Sequence, residues 1–359
     1  MIRIKREKAW LGHFVVLEGL DLVISDNRYG LTTPGIPCIF ITHQLLIKTP
    51  FGLWADRLLQ TLNYRAIRHF SRCWIPDVAT GGLAGDLSHP WRMPSIPTRY
   101  IGWLSRFGSP EPGDGPGSPA GGIDPGIAQA PRDRNPDLAP APRGGGSPES
   151  RDGGDSATPG DRSLAGAPLL LALLSGPEPG RSLLEKDILR QALSLAGKSP
   201  LCRLVIVRGL PGSTEPPSAQ WAPAASRGSS AIPASPDQSL PPWLTIHNHL
   251  PAKALEPLLR AASLVLARPG YSTVMDLERL GKRALFIPTP GQTEQEYLGP
   301  YLAAKGWAAC VDQRAFSLAK ALEMAVTAGS TRERQAEDPS VLAAEIKDVL
   351  DQSCPPALG

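Results

Sequence analysis

Three short stretches of this 359-residue chain combine small residues with groups that hold anions or hydroxyls. The first is Ser175-Gly-Pro-Glu-Pro-Gly-Arg181, which follows an apolar run and opens a helical pattern. Small residues at such a turn let backbone amides approach an anion, and the helix N-terminus adds partial positive charge. Arg181 can add a charged contact, although an ordinary β-α turn accounts for the same residues. The second is Ala267-Arg-Pro-Gly-Tyr-Ser-Thr-Val-Met-Asp276. Gly270 permits a tight turn, and Ser272 or Thr273 can cap the next helix or meet a phosphate. Asp276 lies one turn further, where a carboxylate can accept from two ribose hydroxyls or serve as an N-terminal helix charge. The third is Ile287-Pro-Thr-Pro-Gly-Gln-Thr-Glu-Gln-Glu-Tyr297, in which Gln292 and Gln295 share one helical face and suit neutral sugar hydroxyls. A solvated first helical turn explains each of these alone.

The elements that must carry these stretches are legible as short apolar runs between turn residues, which read as buried strands. In the first part, strands are expected at Leu22–Ile24, Cys38–Ile41 and Arg72–Ile75. An amphipathic helix is expected over Phe51–Phe70, with Leu58, Leu62 and Ile67 on its apolar face. The second part alternates regularly. Strands at 169–174, 204–207, 244–247, 264–267, 284–287 and 308–311 are interleaved with helices, and two helices end the chain. Such alternation implies parallel β-α-β units, a sheet covered on both faces, and ligands at the carboxyl ends of the strands.

Two stretches interrupt this pattern. Residues 108–166 hold 14 Gly, 11 Pro and no aromatic residue, too little apolar surface to offset ordering entropy. Residues 211–242 read as a mobile loop rich in Pro, Ser and Ala. The expected organisation is therefore a domain at 1–107, a disordered linker at 108–166, and a domain at 167–353 with a mobile loop at 211–242.

Composition excludes several classes. A net charge of +3 argues against a dedicated nucleic-acid binder. Five scattered cysteines form no C-x-x-C pair, so no zinc ribbon is supported, and their odd number favours reduced thiols and a cytoplasmic setting. No run reaches the ~18 apolar residues of a membrane span. Gly197-Lys-Ser199 lacks the first glycine of a phosphate-binding P-loop, and no G-x-G-x-x-G follows a strand, which excludes a nicotinamide dehydrogenase.

Taken in order, the three loops resemble the donor-binding half of GT-B glycosyltransferases of family 28. That family is similar in turn to the lipid I N-acetylglucosaminyltransferase and the diacylglycerol galactosyltransferases. Ile24-Ser-Asp-Asn-Arg-Tyr-Gly30 and Phe40-Ile-Thr-His-Gln-Leu45 resemble its acceptor-side loops. The resemblance implies two Rossmann-like parallel-sheet domains, the first incomplete because the opening strand and its Gly-x-Gly-His loop have no counterpart. It implies transfer of an N-acetylhexosamine or hexose from a UDP-sugar to an acceptor hydroxyl. A catalytically inactive nucleotide-sugar-binding fragment and a sugar-nucleotide epimerase stand as alternatives.

Carried onto this chain, the resemblance places Gly176 and Arg181 near the donor diphosphate. Arg268, Gly270, Ser272 and Thr273 border the diphosphate and nucleotide, and Asp276 stands where the family has Glu on the ribose. Gln292 and Gln295 meet the donor sugar, and the backbone of His247–Leu250 flanks the base. The implied reaction is direct displacement at the anomeric carbon with a general base and no metal, and no Asp-x-Asp occurs in the chain. Asp26 and His43 are the base candidates. Each follows a short strand, and imidazole exchanges protons near neutral pH. Asp26 can equally cap a turn, and His43 can equally be a hydrogen-bonded structural residue. No cofactor is expected. The expected partners are the UDP-sugar and a lipid-linked or glycan acceptor, with no nucleic acid and with attachment to the membrane periphery left open.

Overall fold

A computed structural model describes residues 2–108, 166–195, 202–213, 240–327 and 340–353. The linker expected at 108–166 lies outside the described residues except at its two ends, as do residues 214–239 of the expected mobile loop.

The first lobe runs α1 (Ile2–Glu18), β1 (Val23–Asp26), β2 (Cys38–Ile41), α2 (Leu53–Ile67), β3 (Arg72–Ile75) and β4 (Thr98–Tyr100). Its strands pair in parallel in the order β1-β2-β3-β4. The second lobe begins with β5 (Leu169–Leu173), α3 (Gly180–Ser194), β6 (Arg203–Val207) and β7 (Leu244–His247). It continues with α4 (Ala252–Ala261), β8 (Leu264–Ala267), α5 (Tyr271–Arg279), β9 (Ala284–Phe286), α6 (Thr293–Ala304) and β10 (Ala309–Cys310). Two helices follow, α7 (Leu318–Thr327) and α8 (Ser340–Ser353). The six strands form a parallel sheet in the order β10-β9-β8-β5-β6-β7. All four residues of β8 are buried, the signature of a strand covered on both faces. Each large aliphatic side chain so buried contributes about 1.5–3 kcal/mol relative to exposure.

This order fixes the site. The chain leaves β5 towards β6 and β7, then returns to place β8 on the other side of β5. The strand order reverses between β5 and β8, and the crevice beyond the ends of such strands is where open α/β sheets bind ligands. The first two chemistry-bearing loops therefore leave neighbouring strands at the switch point, and the third leaves β9 alongside.

The two lobes share one core. Leu83, Ala84, Leu87, Trp103 and Phe107 of the first pack with Val274, Met275, Leu298 and Leu302 of the second. Asp77, fully buried, organises the segment that does this. Its carboxylate accepts from the amides of Val78 and Leu83 at 2.9 Å and of Ala84 at 3.0 Å. It also accepts from the Ser88 hydroxyl at 2.7 Å and the Trp103 indole at 3.0 Å. A Cβ on Gly82 would lie 2.4 Å from this carboxylate, so no larger residue fits there. From the second lobe, Tyr301 donates to the Gly82 carbonyl at 2.8 Å, and Tyr297 accepts from the Asp86 amide at 2.7 Å. The final helix, α8, also crosses over. Val349, Leu342 and Ile346 pack on Ile39, Trp74 and Ile101 of the first lobe, and Arg72 pairs with Asp348 at 2.7 Å.

α2 turns its expected face the wrong way. Leu58 and Leu62 are exposed, and of the three expected core positions only Ile67 is buried. Asp56, Gln60 and Asn63 face inward instead, each hydrogen-bonded: Asp56 to the Thr49 amide, Gln60 to Tyr64, and Asn63 to Tyr29 and the Gln44 carbonyl. Satisfied polar groups cost little when buried, so the helix can orient against its hydrophobic pattern.

Candidate functional site

At the first loop, Gly176 adopts φ +101°, and a Cβ there would meet nothing within 4 Å. Its backbone is accessible to a ligand. Arg181 opens α3 but is buried. It donates to Glu178 at 2.7 Å, to Glu185 at 2.5 Å and to the Ser182 hydroxyl at 2.9 Å. Burial works against its charge, but hydrogen bonds to Glu185 and Glu178 raise its pKa. Glu185 is shared with the buried Arg208, which reaches Asn248 after β7 at 2.7 Å. Two arginines and one buried carboxylate thus sit beneath this loop.

At the second loop, Arg268 is almost wholly buried, 1% exposed. It donates to the carbonyls of Ile287 (2.7 Å), Pro288 (3.0 Å) and Gly180 (2.9 Å), and to the Gln313 side chain (2.8 Å). One side chain therefore ties the loops after β5, β8 and β9 together. Burial lowers its pKa to about 10. Gly270 caps α5 with open space where a Cβ would be, Ser272 is exposed, and Thr273 is half-buried. Asp276 is buried and faces the segment after β4. It accepts from the Ser105 hydroxyl at 2.8 Å, the Arg106 amide at 3.3 Å and the Arg106 guanidinium at 2.9 Å.

At the third loop, Gln292 is the N-cap of α6, and Gln295 accepts from the Thr289 amide at 2.9 Å. Thr289 also approaches the first loop, for a Cβ on Gly180 would lie 2.9 Å from its methyl group. Between these two glutamines sits Glu294, a residue that the sequence reading passes over. His43, following β2, places Nε2 2.9 Å from Glu294 Oε1, and Gln44 donates to the other oxygen. The His43 ring stacks on Tyr271, centroids 4.2 Å apart and 15° from parallel. A cleft of about 290 Å³ opens here, lined by Gln44, Leu46, Lys48 and Leu87 from the first lobe and Gln292 and Glu294 from the second. Glu294 carried a signal that could have found it, being a carboxylate in the first turn of a helix at a strand end.

Asp26, at the end of β1, is exposed, and among the described residues its side chain has no hydrogen-bond partner. His247, at the end of β7, is half-buried, and desolvation lowers its pKa below the usual value. The structure thus brings His43, Gln292 and Gln295 into one neighbourhood around Glu294, ties Gly176, Arg181 and Arg268 into the adjoining loops, and commits Asp276 to the segment after β4. Among the described residues no group of three His, Cys, Asp or Glu is arranged to hold a metal, and no helix is long and apolar enough to cross a membrane.

Two parallel Rossmann-like sheets with a cleft between them define the GT-B class of glycosyltransferase. Residues 250–352 match the model of the Glycosyltransferase family 28 C-terminal domain. Comparison with curated protein sequences gives no match. Similar solved structures include the kitacinnamycin glycotransferase, at 14% identity over 97% of this chain and 76% of that one, with a TM-score of 0.48. MurG of Acinetobacter baumannii is 15% identical over 97% and 80%, with a TM-score of 0.46. A putative UDP-N-acetylglucosamine 2-epimerase from Listeria monocytogenes is 10% identical over 97% and 79%, with a TM-score of 0.43.

Proposed function

We propose that the chain transfers an N-acetylhexosamine or hexose from a UDP-sugar to an acceptor hydroxyl. One observation carries this reading furthest: three loops converge at the switch point of the second sheet, and the first lobe brings His43 to their edge against Glu294. In this reading, backbone amides around Gly176 and at Gly270, with Ser272 and Thr273, receive the diphosphate. Arg181 and Arg268 act from beneath, holding the loops and adding positive potential, because the Arg181 donors and the two terminal nitrogens of Arg268 are already engaged, with only the buried Arg268 Nε left without a hydrogen bond. Asp276 accepts from the ribose hydroxyls by exchanging its bonds to Ser105 and Arg106. Gln292 and Gln295 meet the sugar, and His247–Leu250 flank the base.

The acceptor oxygen attacks the anomeric carbon and gives its proton to His43 or Asp26. The anomeric C–O bond breaks, and UDP leaves with the electron pair, its charge stabilised by the amides. A lipid-linked or glycan acceptor suits the setting. Trp54, Leu58 and Leu62 form an exposed stripe on α2 with Arg57 and Arg65 beside it, which fits attachment to the periphery of an anionic membrane.

The engagement of Asp276 by Ser105 and Arg106 favours a second reading, a nucleotide-sugar-binding chain without turnover. Release of UDP from UDP-N-acetylglucosamine and UDP-galactose, with and without lipid-linked and glycan acceptors, separates the readings. Acceptor-dependent release supports transfer. UDP binding without release supports the second reading, and interconversion of the sugar without an acceptor supports an epimerase.

A further inference from the structure

We infer that Glu294 is a positioning residue that fixes His43 as the proton acceptor, in a pair assembled from both lobes. The inference rests on the transferase reading above. Two contacts fix the imidazole, and one of the groups that makes them is itself held. Glu294 Oε1 lies 2.9 Å from Nε2, Tyr271 stacks on one face at 4.2 Å, and Tyr271 is itself buried and held by a 2.7 Å bond to the Pro76 carbonyl. Gln44 holds the other Glu294 oxygen, so the carboxylate cannot swing freely. An ionised carboxylate only accepts, so Nε2 carries the proton and the lone pair sits on Nδ1. Among the described residues Nδ1 makes no hydrogen bond.

The two side chains are 15% and 31% exposed, shielded but within reach of a substrate. The other charged side chain lining this cleft, Lys48, pairs with Asp86 beside it at 2.9 Å and lies over the Tyr297 ring. Because the lobes share a core, the pair is present before substrate arrives. In the reaction the acceptor O–H proton moves to Nδ1, the new bond forms at the anomeric carbon, and UDP departs with the electrons of the broken bond. The Glu294 charge then faces the imidazolium that has formed, the role a carboxylate plays behind a catalytic histidine elsewhere.

The test compares wild type, E294Q and E294A for UDP release from UDP-N-acetylglucosamine, with water and with the acceptor that supports release. UDP affinity, thermal melting and imidazole ¹⁵N spectra are measured alongside. The expected result is UDP affinity within twofold, KM within threefold and kcat lowered at least tenfold in both variants. The wild-type spectrum should show His43 protonated on Nε2, and E294A should show mixed tautomers. E294Q discriminates, since its amide oxygen still accepts from Nε2 and would rescue a merely structural latch. If E294A does not fold, E294Q and the wild-type spectrum decide. Unchanged kcat, full rescue by E294Q, a change in KM alone, or a wild-type proton on Nδ1 would overturn the inference while wild-type turnover keeps the transferase reading. Absence of any wild-type UDP release would overturn both.

Discussion

Arg106 Nε lies 2.9 Å from Asp276 Oδ2, and the Ser105 hydroxyl lies 2.8 Å from Oδ1, so the carboxylate at the heart of α5 fastens the segment after β4. Arg106 is largely exposed, and its ion pair alone contributes little. The bonds from Ser105 and the Arg106 amide to a buried acceptor are worth about 1–2 kcal/mol together. Asp276→Ala should therefore lower stability by that amount and weaken UDP binding about tenfold, the loss of one charge-assisted contact being worth roughly 1.4 kcal/mol. Arg106→Ala should leave stability nearly unchanged and tighten UDP binding, because a competitor for the carboxylate is gone. Urea unfolding and calorimetry on the two variants read both effects. Equal UDP affinity in Asp276→Ala and wild type would remove the ribose assignment.

Asp77 should be the most sensitive position in the shared core. Its carboxylate takes five donors, and Asp77→Ala would take this acceptor from the buried amides of Leu83 and Ala84 and the part-buried amide of Val78. A loss of about 3 kcal/mol or more is expected. Asp77→Asn should lose less, since one amide oxygen keeps part of the set. A urea midpoint for Asp77→Ala close to wild type would contradict this account of how the lobes are joined.

Lys282 sets a pH dependence. It is buried, donates to the Arg260 and Ala262 carbonyls, and burial with the nearby Arg260 charge lowers its pKa from 10.5 to about 8. Between pH 8 and 10.5 the unfolded chain binds this proton and the folded chain does not, so this residue makes stability rise with pH in that window. Buried Cys73 and Cys202, raised to about 12 and about 11, act in the opposite sense above pH 9. The clean comparison is wild type minus Lys282→Met from pH 8 to 9, where the difference should shift by about 1 kcal/mol in favour of wild type. A flat difference would show that Lys282 keeps its proton.

The α2 stripe should bind membranes. Trp54 and Leu58 are 69% and 54% exposed beside Arg57 and Arg65. Co-sedimentation with vesicles containing anionic phospholipid should fall at least tenfold in Trp54→Glu with Leu58→Glu, and wild-type binding should weaken with salt. Equal sedimentation of wild type and variant would assign the stripe no membrane role.

Much of this fold could be read from the sequence because parallel strands announce themselves. β7 and β8 fall at the expected residues, 244–247 and 264–267, each a short apolar run bounded by breakers. α2 misleads because Asn63 and Asp56 find partners outside the helix, at Tyr29 and Thr49, and helical periodicity carries no trace of them. The site divides in the same way. The loops carrying Gly176, Gly270 and Gln292 are local features of strand ends and were visible. The bond of His43 to Glu294 spans 251 positions and was not. Arg268 shows a further limit, since residue type suggests an anion contact while the folded chain spends its donors on four oxygens of its own.

The most direct measurement is a calorimetric titration of the purified chain with UDP and UDP-N-acetylglucosamine, with Asp276→Ala alongside. Saturable one-to-one binding of both, weakened about tenfold in the variant, is the predicted result. A folded wild-type chain that binds neither would contradict the nucleotide-sugar site and the transfer reaction built on it.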